Sequence, residues 1–172
     1  MHYPRRKKIR HPSHDYSKGG WYFITLFTRL GVHHFGKIHS EKMHLSPIGV
    51  IAEKFWIEIL QHAPHVKLDT FVVMPNHLHG ILKMQAPEGF QKGITFRSNS
   101  FGPQPKGSLQ VILGQYKAAV TRYARKNGCL IFDWLPRFDD RIVRSEKDLP
   151  RIRRYIRNNP QKWWEKYGAS PQ

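Results

Sequence analysis

The chain has 172 residues, 40% hydrophobic and 13% aromatic, which is enough to bury one substantial core. Lys and Arg number 29 against 12 Asp and Glu, a formal net charge of +17 with a pI near 10.3, and a field of that sign draws polyanions, nucleic acid first among them. Cys129 is the only cysteine, which excludes an internal disulfide and any multi-cysteine zinc cluster; no run approaches a membrane span and no lipidation motif is present, so the expectation is a soluble, cytoplasmic, nucleoid-associated protein with no membrane partner.

Residues 1–19 are polar and basic and lack the apolar segment of a signal peptide. They read as a flexible basic arm, either touching a phosphate backbone or simply solubilising, with residues 20–172 as a single domain. Trp21 to Leu30, WYFITLFTRL, is dense in aromatic and β-branched residues and predicts a first strand, followed from Gly31 to His44 by an irregular or short extended return. His33 and His34 lie in that return, where adjacent residues face opposite ways and make poor joint ligands. Ser46 ahead of Pro47, with Ile48, Ile51, Ala52, Phe55 and Ile59 at helical spacing, predicts a helix reaching His62.

Val66–Val73 and His77–Met84 read as two strands folded back at Pro75-Asn76, because Pro presets the first central φ of a turn and Asn tolerates the second. His77 and His79 are two apart, so both imidazoles share a strand face while Leu78 points into the core, and together they make half of a metal site. Between Gln85 and Gly107, four Gly and three Pro among polar residues mark a long loop, disordered or functional, whose Lys92, Arg97 and Lys106 are candidate nucleic-acid contacts.

Ser108 opens a second helix closed by Gly128, and Lys117, Arg122, Arg125 and Lys126 charge its solvent side as DNA-binding candidates. Cys129–Trp134 and Phe138–Arg144 look extended, split by Pro136, and a last helix follows from about Ser145. In LPRIRRYIRNNPQKWW this helix is expected to end at Asn159, before Pro160. Tyr155 and Asn159 then stand one turn apart on one face, so a phenol and an amide oxygen can reach the same ion; Asn158, offset by three, is the second choice. Arg151, Arg153, Arg154 and Arg157 surround Tyr155 and would repel one another without an anion, which favours phosphate contact. Trp163 and Trp164 either stack on exposed bases or staple the C-terminal helix to the core. Strand, helix, strand, strand, helix, strand, helix is the order of the α+β, ferredoxin-like split βαβ fold, a four-stranded antiparallel sheet with helices on one face plus a C-terminal helix near the histidines.

His77-Leu78-His79 preceded by Met-Pro-Asn, the run WLPRFDDRIVRSEKDL, and RYIRNNPQKW together resemble the REP-associated tyrosine transposases, within the superfamily of single-strand transposases and nickases named for His-hydrophobe-His. The likeness runs from about Trp21 to Trp164 in the family's order; where relatives usually show Trp-Gln-Arg, this chain has Trp134-Leu135-Pro136-Arg137. The resemblance implies the same ferredoxin-like fold, a divalent ion at His77 and His79 with Asn159 as the polar helix ligand, and Tyr155 as nucleophile, leaving Tyr116 and Tyr123 as runners-up. It further implies cleavage of single-stranded DNA beside a hairpin through a 5′-phosphotyrosine. Imidazole and oxygen donors at a phosphate favour Mg²⁺ or Mn²⁺. The family leans towards a monomer using its own tyrosine, whereas insertion-sequence relatives exchange that helix between two subunits, so a dimer stays open. The alternative is a basic ferredoxin-like module that grips DNA or RNA without cutting it.

Overall fold

In the computed structural model residues 19–85 and 107–168 are described; the basic arm up to residue 18 and the loop's Lys92, Arg97 and Lys106 lie outside them. The elements in chain order are β1 (Gly20–Phe27), β2 (Gly36–His39), β3 (Lys42–Leu45), α1 (Pro47–His62), β4 (Val66–Met74), β5 (His77–Met84), α2 (Leu109–Lys126), β6 (Asp139–Val143), α3 (Leu149–Arg157) and α4 (Asn159–Tyr167). Four strands form one sheet in the order β4-β5-β1-β6, every neighbouring pair antiparallel, which is the ferredoxin-like arrangement.

Alternation along the two central strands divides the side chains between faces. Tyr22, Ile24 and Leu26 of β1 and Leu78 and Leu82 of β5 are wholly buried in the main core with α1 and α2. On that face Gly80 leaves room for the Trp56 indole of α1, which a Cβ there would strike. The opposite face carries Ile81, against which Leu149 and Ile156 of α3 pack. The helices are fixed as their sequences predict: Ser46 Oγ accepts from Gly49 N at 3.1 Å, Ser108 Oγ accepts from Val111 N at 3.4 Å, and Gly128 reverses the chain after α2 at φ 89°.

Four boundaries differ from the sequence reading. The first strand stops at Phe27 rather than Leu30, because the Thr28 hydroxyl turns back onto the carbonyls of Val32 and Asn76, at 2.8 and 3.0 Å, and Leu30 takes φ 56°. The return holds a regular hairpin, β2 with β3, turned through Ser40 and Glu41 at φ 47° and 64°; neither residue is the Gly or Asn that usually announces such a turn. Cys129–Trp134 is not a strand: Phe132 N bonds Cys129 O at 3.1 Å to close a turn, and only Trp134 makes a bridge, to Thr28. The last helix is two. Pro160 lacks an N–H and its ring crowds the preceding turn, so α3 ends at Arg157 and α4 begins at Asn159, with Asn158 at φ −87° and ψ 1° between them.

Candidate active site

The face of β5 that carries Ile81 also carries His77 and His79, each only 6% exposed, with ring centroids 4.5 Å apart. Asn76, in the turn before them, orients the first ring. Its Nδ2 donates to the Gly31 carbonyl at 3.1 Å, which turns Oδ1 towards His77 Nδ1 at 2.8 Å. A carboxamide oxygen can only accept, so His77 Nδ1 carries the proton and Nε2 keeps its lone pair. The cross-strand partner of His79 is Thr25, whose Oγ1 lies 3.0 Å from His79 Nδ1.

Burial makes charge on either ring costly. It brings His77 down to about 4 against the opposing hydrogen bond of the Asn159 side chain, and brings His79 down to about 3, with the neighbouring His77 adding to the effect. At neutral pH both imidazoles are therefore uncharged, which is the form that binds metals. Asn159 itself is 8% exposed at the start of α4.

Because Leu149 and Ile156 seat α3 on Ile81, Tyr155 falls over the histidine beside it. Its ring is 5.4 Å from that of His79 and 6.0 Å from that of Phe23, and the residue remains 42% exposed. A bidentate ion pair ties the helix to β4: Arg153 Nε and Nη2 donate to the Asp69 carboxylate at 2.9 and 2.6 Å, holding that carboxyl down at about 2. In front of His79 and Tyr155 opens a cleft of about 480 Å³, walled by Phe23 and Phe27 and carrying Arg141, Arg151, Asp139 and Asp148.

His77, His79, Tyr155 and Asn159 thus converge, with Arg151 on the cleft wall. Arg154 and Arg157 are exposed on α3, whereas Arg153 is engaged by Asp69. Lys117 is also engaged, donating to the carbonyls of Leu135 and Arg137 at 2.9 Å each, and Arg122, Arg125 and Lys126 are exposed on α2, behind the sheet. Asn158 is exposed in the break between helices. Tyr116 is buried with its hydroxyl donated to Ala52 O at 3.0 Å, and burial drives its phenol well above the usual range; Tyr123 shares that helix. Trp163 packs 5.8 Å from His77 and 5.6 Å from His33, and Trp164 packs 5.7 Å from His39, so both fasten α4 to the molecule. Thr25 and Asn76 are the residues that reading the sequence passed over. Asn76 stands next to His77 in the turn, a usable signal; Thr25 becomes visible only once the strand register is known.

Among the described residues no three of His, Cys, Asp and Glu gather as a metal cluster. The donors present are two neutral imidazoles and a carboxamide, an uncharged and open set that fits a divalent cation whose other ligands are water or phosphate oxygens. Nor, among those residues, is any helix long and apolar enough to cross a membrane.

No family model matches the chain. An uncharacterized protein of Haemophilus influenzae is 34% identical over 161 residues, covering 92% of this chain and 89% of that one. Among solved structures, a REP-associated tyrosine transposase bound to a REP hairpin is similar with a TM-score of 0.60 at 20% identity, covering 89% of this chain and 73% of that one. The chain belongs to one family with the Haemophilus protein, and its fold is that of the REP-associated tyrosine transposase.

Proposed function

We propose that the protein is a DNA transposase or site-specific single-strand nickase in which Tyr155 attacks a phosphodiester beside a hairpin. The observation that carries this reading is the approach of the Tyr155 ring to within 5.4 Å of His79 in the same chain. A phenol with an ordinary pKa of about 10 is protonated at neutral pH and is a weak nucleophile until its proton is drawn off. Tyr155 Oη bonds to phosphorus, the bond from phosphorus to the 3′ oxygen breaks, and the phenolic proton is balanced by the one gained on that oxygen. The products are a 5′-phosphotyrosine and a free 3′ hydroxyl, and the reverse attack rejoins a strand.

His77 Nε2, His79 Nε2 and the Asn159 carboxamide oxygen would hold Mg²⁺ or Mn²⁺, which supplies polarisation of the scissile phosphate. Arg151 and Arg141 line the cleft together with Asp139 and Asp148, Arg151 lying 3.8 Å from Asp148, and Phe23 and Phe27 offer ring surface to a base. The cis placement of tyrosine and histidines supports a monomer acting with its own nucleophile. The hairpin in the transposase complex of the same fold supports structured DNA as substrate.

The test is a labelled single-stranded hairpin oligonucleotide incubated with Mg²⁺ or Mn²⁺ and resolved under denaturing conditions. The wild-type protein forms a covalent adduct and Tyr155→Phe forms none while still binding the DNA. An adduct surviving in Tyr155→Phe moves the nucleophile elsewhere. Tight, salt-sensitive binding with no adduct under either ion leaves instead a module that grips nucleic acid without cutting it.

A further inference from the structure

The loops that follow β1 and α2 carry a concentration of exposed apolar side chains that the cleavage site does not use. Leu30 is 90% exposed, Leu130 75% and Ile131 80%, with Leu135 and Val32 about half so. The two loops are laced together: Arg29 N donates to Asp133 O at 2.9 Å, the Arg29 guanidinium pairs with the Asp133 carboxylate at 3.0 Å, and Thr28 bridges Trp134. Leu30 stands at the summit of its turn in the left-handed region, φ 56° and ψ 13°, where a leucine is strained. That turn is nevertheless held at both ends, by Thr28 Oγ1 to Val32 O at 2.8 Å and by Asn76 Nδ2 to Gly31 O at 3.1 Å.

Asn76 also fixes the place of this projection. The side chain that donates to Gly31 accepts from His77 Nδ1, so the Leu30 turn is one residue removed from the first imidazole. Beside it, the two guanidiniums of Arg29 and Arg125 act on the one carboxylate of Asp133, in a chain of net charge +17. An apolar summit in a cationic surround suits a polyanion that also exposes flat apolar faces, which is single-stranded nucleic acid and not duplex, where the faces are stacked away.

We infer that Leu30, Leu130 and Ile131 form an apolar tip that packs against unpaired bases adjoining the scissile phosphate, an inference that rests on the DNA-cleaving reading above. Sequence-tolerant contact of this kind needs only a π face to lie on, and it places the flank of the hairpin beside His77.

The experiment compares the wild-type protein with the triple variant Leu30→Gly, Leu130→Ser, Ile131→Ser. All three side chains are exposed, and glycine relieves the positive φ at position 30, so the fold is kept. Each protein is titrated with two hairpins, one blunt and one bearing a single-stranded flank with 2-aminopurine. Loss of the tip is expected to weaken the flanked hairpin about tenfold, the scale of one lost base-packing contact, with loss of the fluorescence change, while the blunt hairpin shifts less than about twofold. Unchanged affinity for the flanked hairpin, or an equal loss on both, overturns the inference. So does a concentration-dependent dimer in the wild type that the triple variant abolishes, since the tip would then cover a second copy. Binding is read without chemistry, so a wild type that prefers the flank but forms no tyrosyl adduct sinks the cleavage reading and leaves the tip standing.

Discussion

Behind the sheet, towards α1 and α2, the central strands present Tyr22, Ile24, Leu26, Leu78 and Leu82, all wholly buried. In front, towards α3 and α4, the same strands present Thr25, His77 and His79, and the cover is broken into two short helices that leave a cleft. The helix break falls at Asn158, and Asn159 just after it brings a carboxamide to His77. A half-covered face can keep polar groups buried enough to stay neutral and still accessible to a large ligand, while the fully covered face supplies the stability that this arrangement forgoes.

His79 and Gly80 are neighbours on opposite faces, and substituting each is the largest test of that division. His79→Ala is expected to lower adduct formation by at least about a hundredfold with little change in the urea midpoint. Gly80→Ala drives a methyl into the Trp56 indole and is expected to cost about 1–3 kcal/mol while the adduct still forms in the folded fraction. Equal loss of stability in the two variants would erase the distinction between faces.

A smaller effect sharpens the front face alone. Asn76→Ala removes the acceptor that fixes the His77 tautomer and is expected to weaken Mn²⁺ binding about 10–100-fold by calorimetry; Asn76→Asp, which retains an acceptor for Nδ1, restores most of it. Nitrogen NMR of His77 reads the same change without metal, as loss of the Nδ1 proton form in the alanine variant only. Identical tautomers in all three proteins would show that Asn76 does not orient the ring.

The smallest effect concerns the strap that holds α3. Asp69 is held at about 2 by Arg153, below its unfolded value of about 3.9, so the stability it contributes is fully present above pH 4 and is lost as pH falls towards 2. Because solvent screens the exposed Arg153, the stability increment from this pair between pH 6 and pH 2 is small. Denaturation of Asp69→Asn against the wild type should show that increment missing; parallel curves over that range would dismiss the strap.

The sheet was legible because its signals are local. The His-x-His spacing states a shared face, Ser46 and Ser108 announce helix starts, and Pro75-Asn76 announces the reversal between β4 and β5. The site was only partly legible. A run of four arginines on α3 shows charge but not which member is taken, and the partner that takes Arg153 lies 84 residues earlier. Thr25 is an ordinary strand residue until pairing sets it opposite His79. The hairpin of β2 and β3 was legible only as a short extended return, because its strands are four residues each and its turn is built from Ser40 and Glu41.

The strap also depends on an irregularity in β4. Between Leu68, opposite Leu82, and Phe71, opposite Gly80, this strand advances three residues while its partner advances two. The extra residue resets the alternation: Val66 and Leu68 before it and Phe71 and Val73 after it all enter the main core, and Asp69 reaches α3. Removing one residue at this point would therefore act like a frameshift in orientation, turning one end of the strand inside out and unmooring the helix that bears Tyr155, although the composition of the protein would hardly have changed.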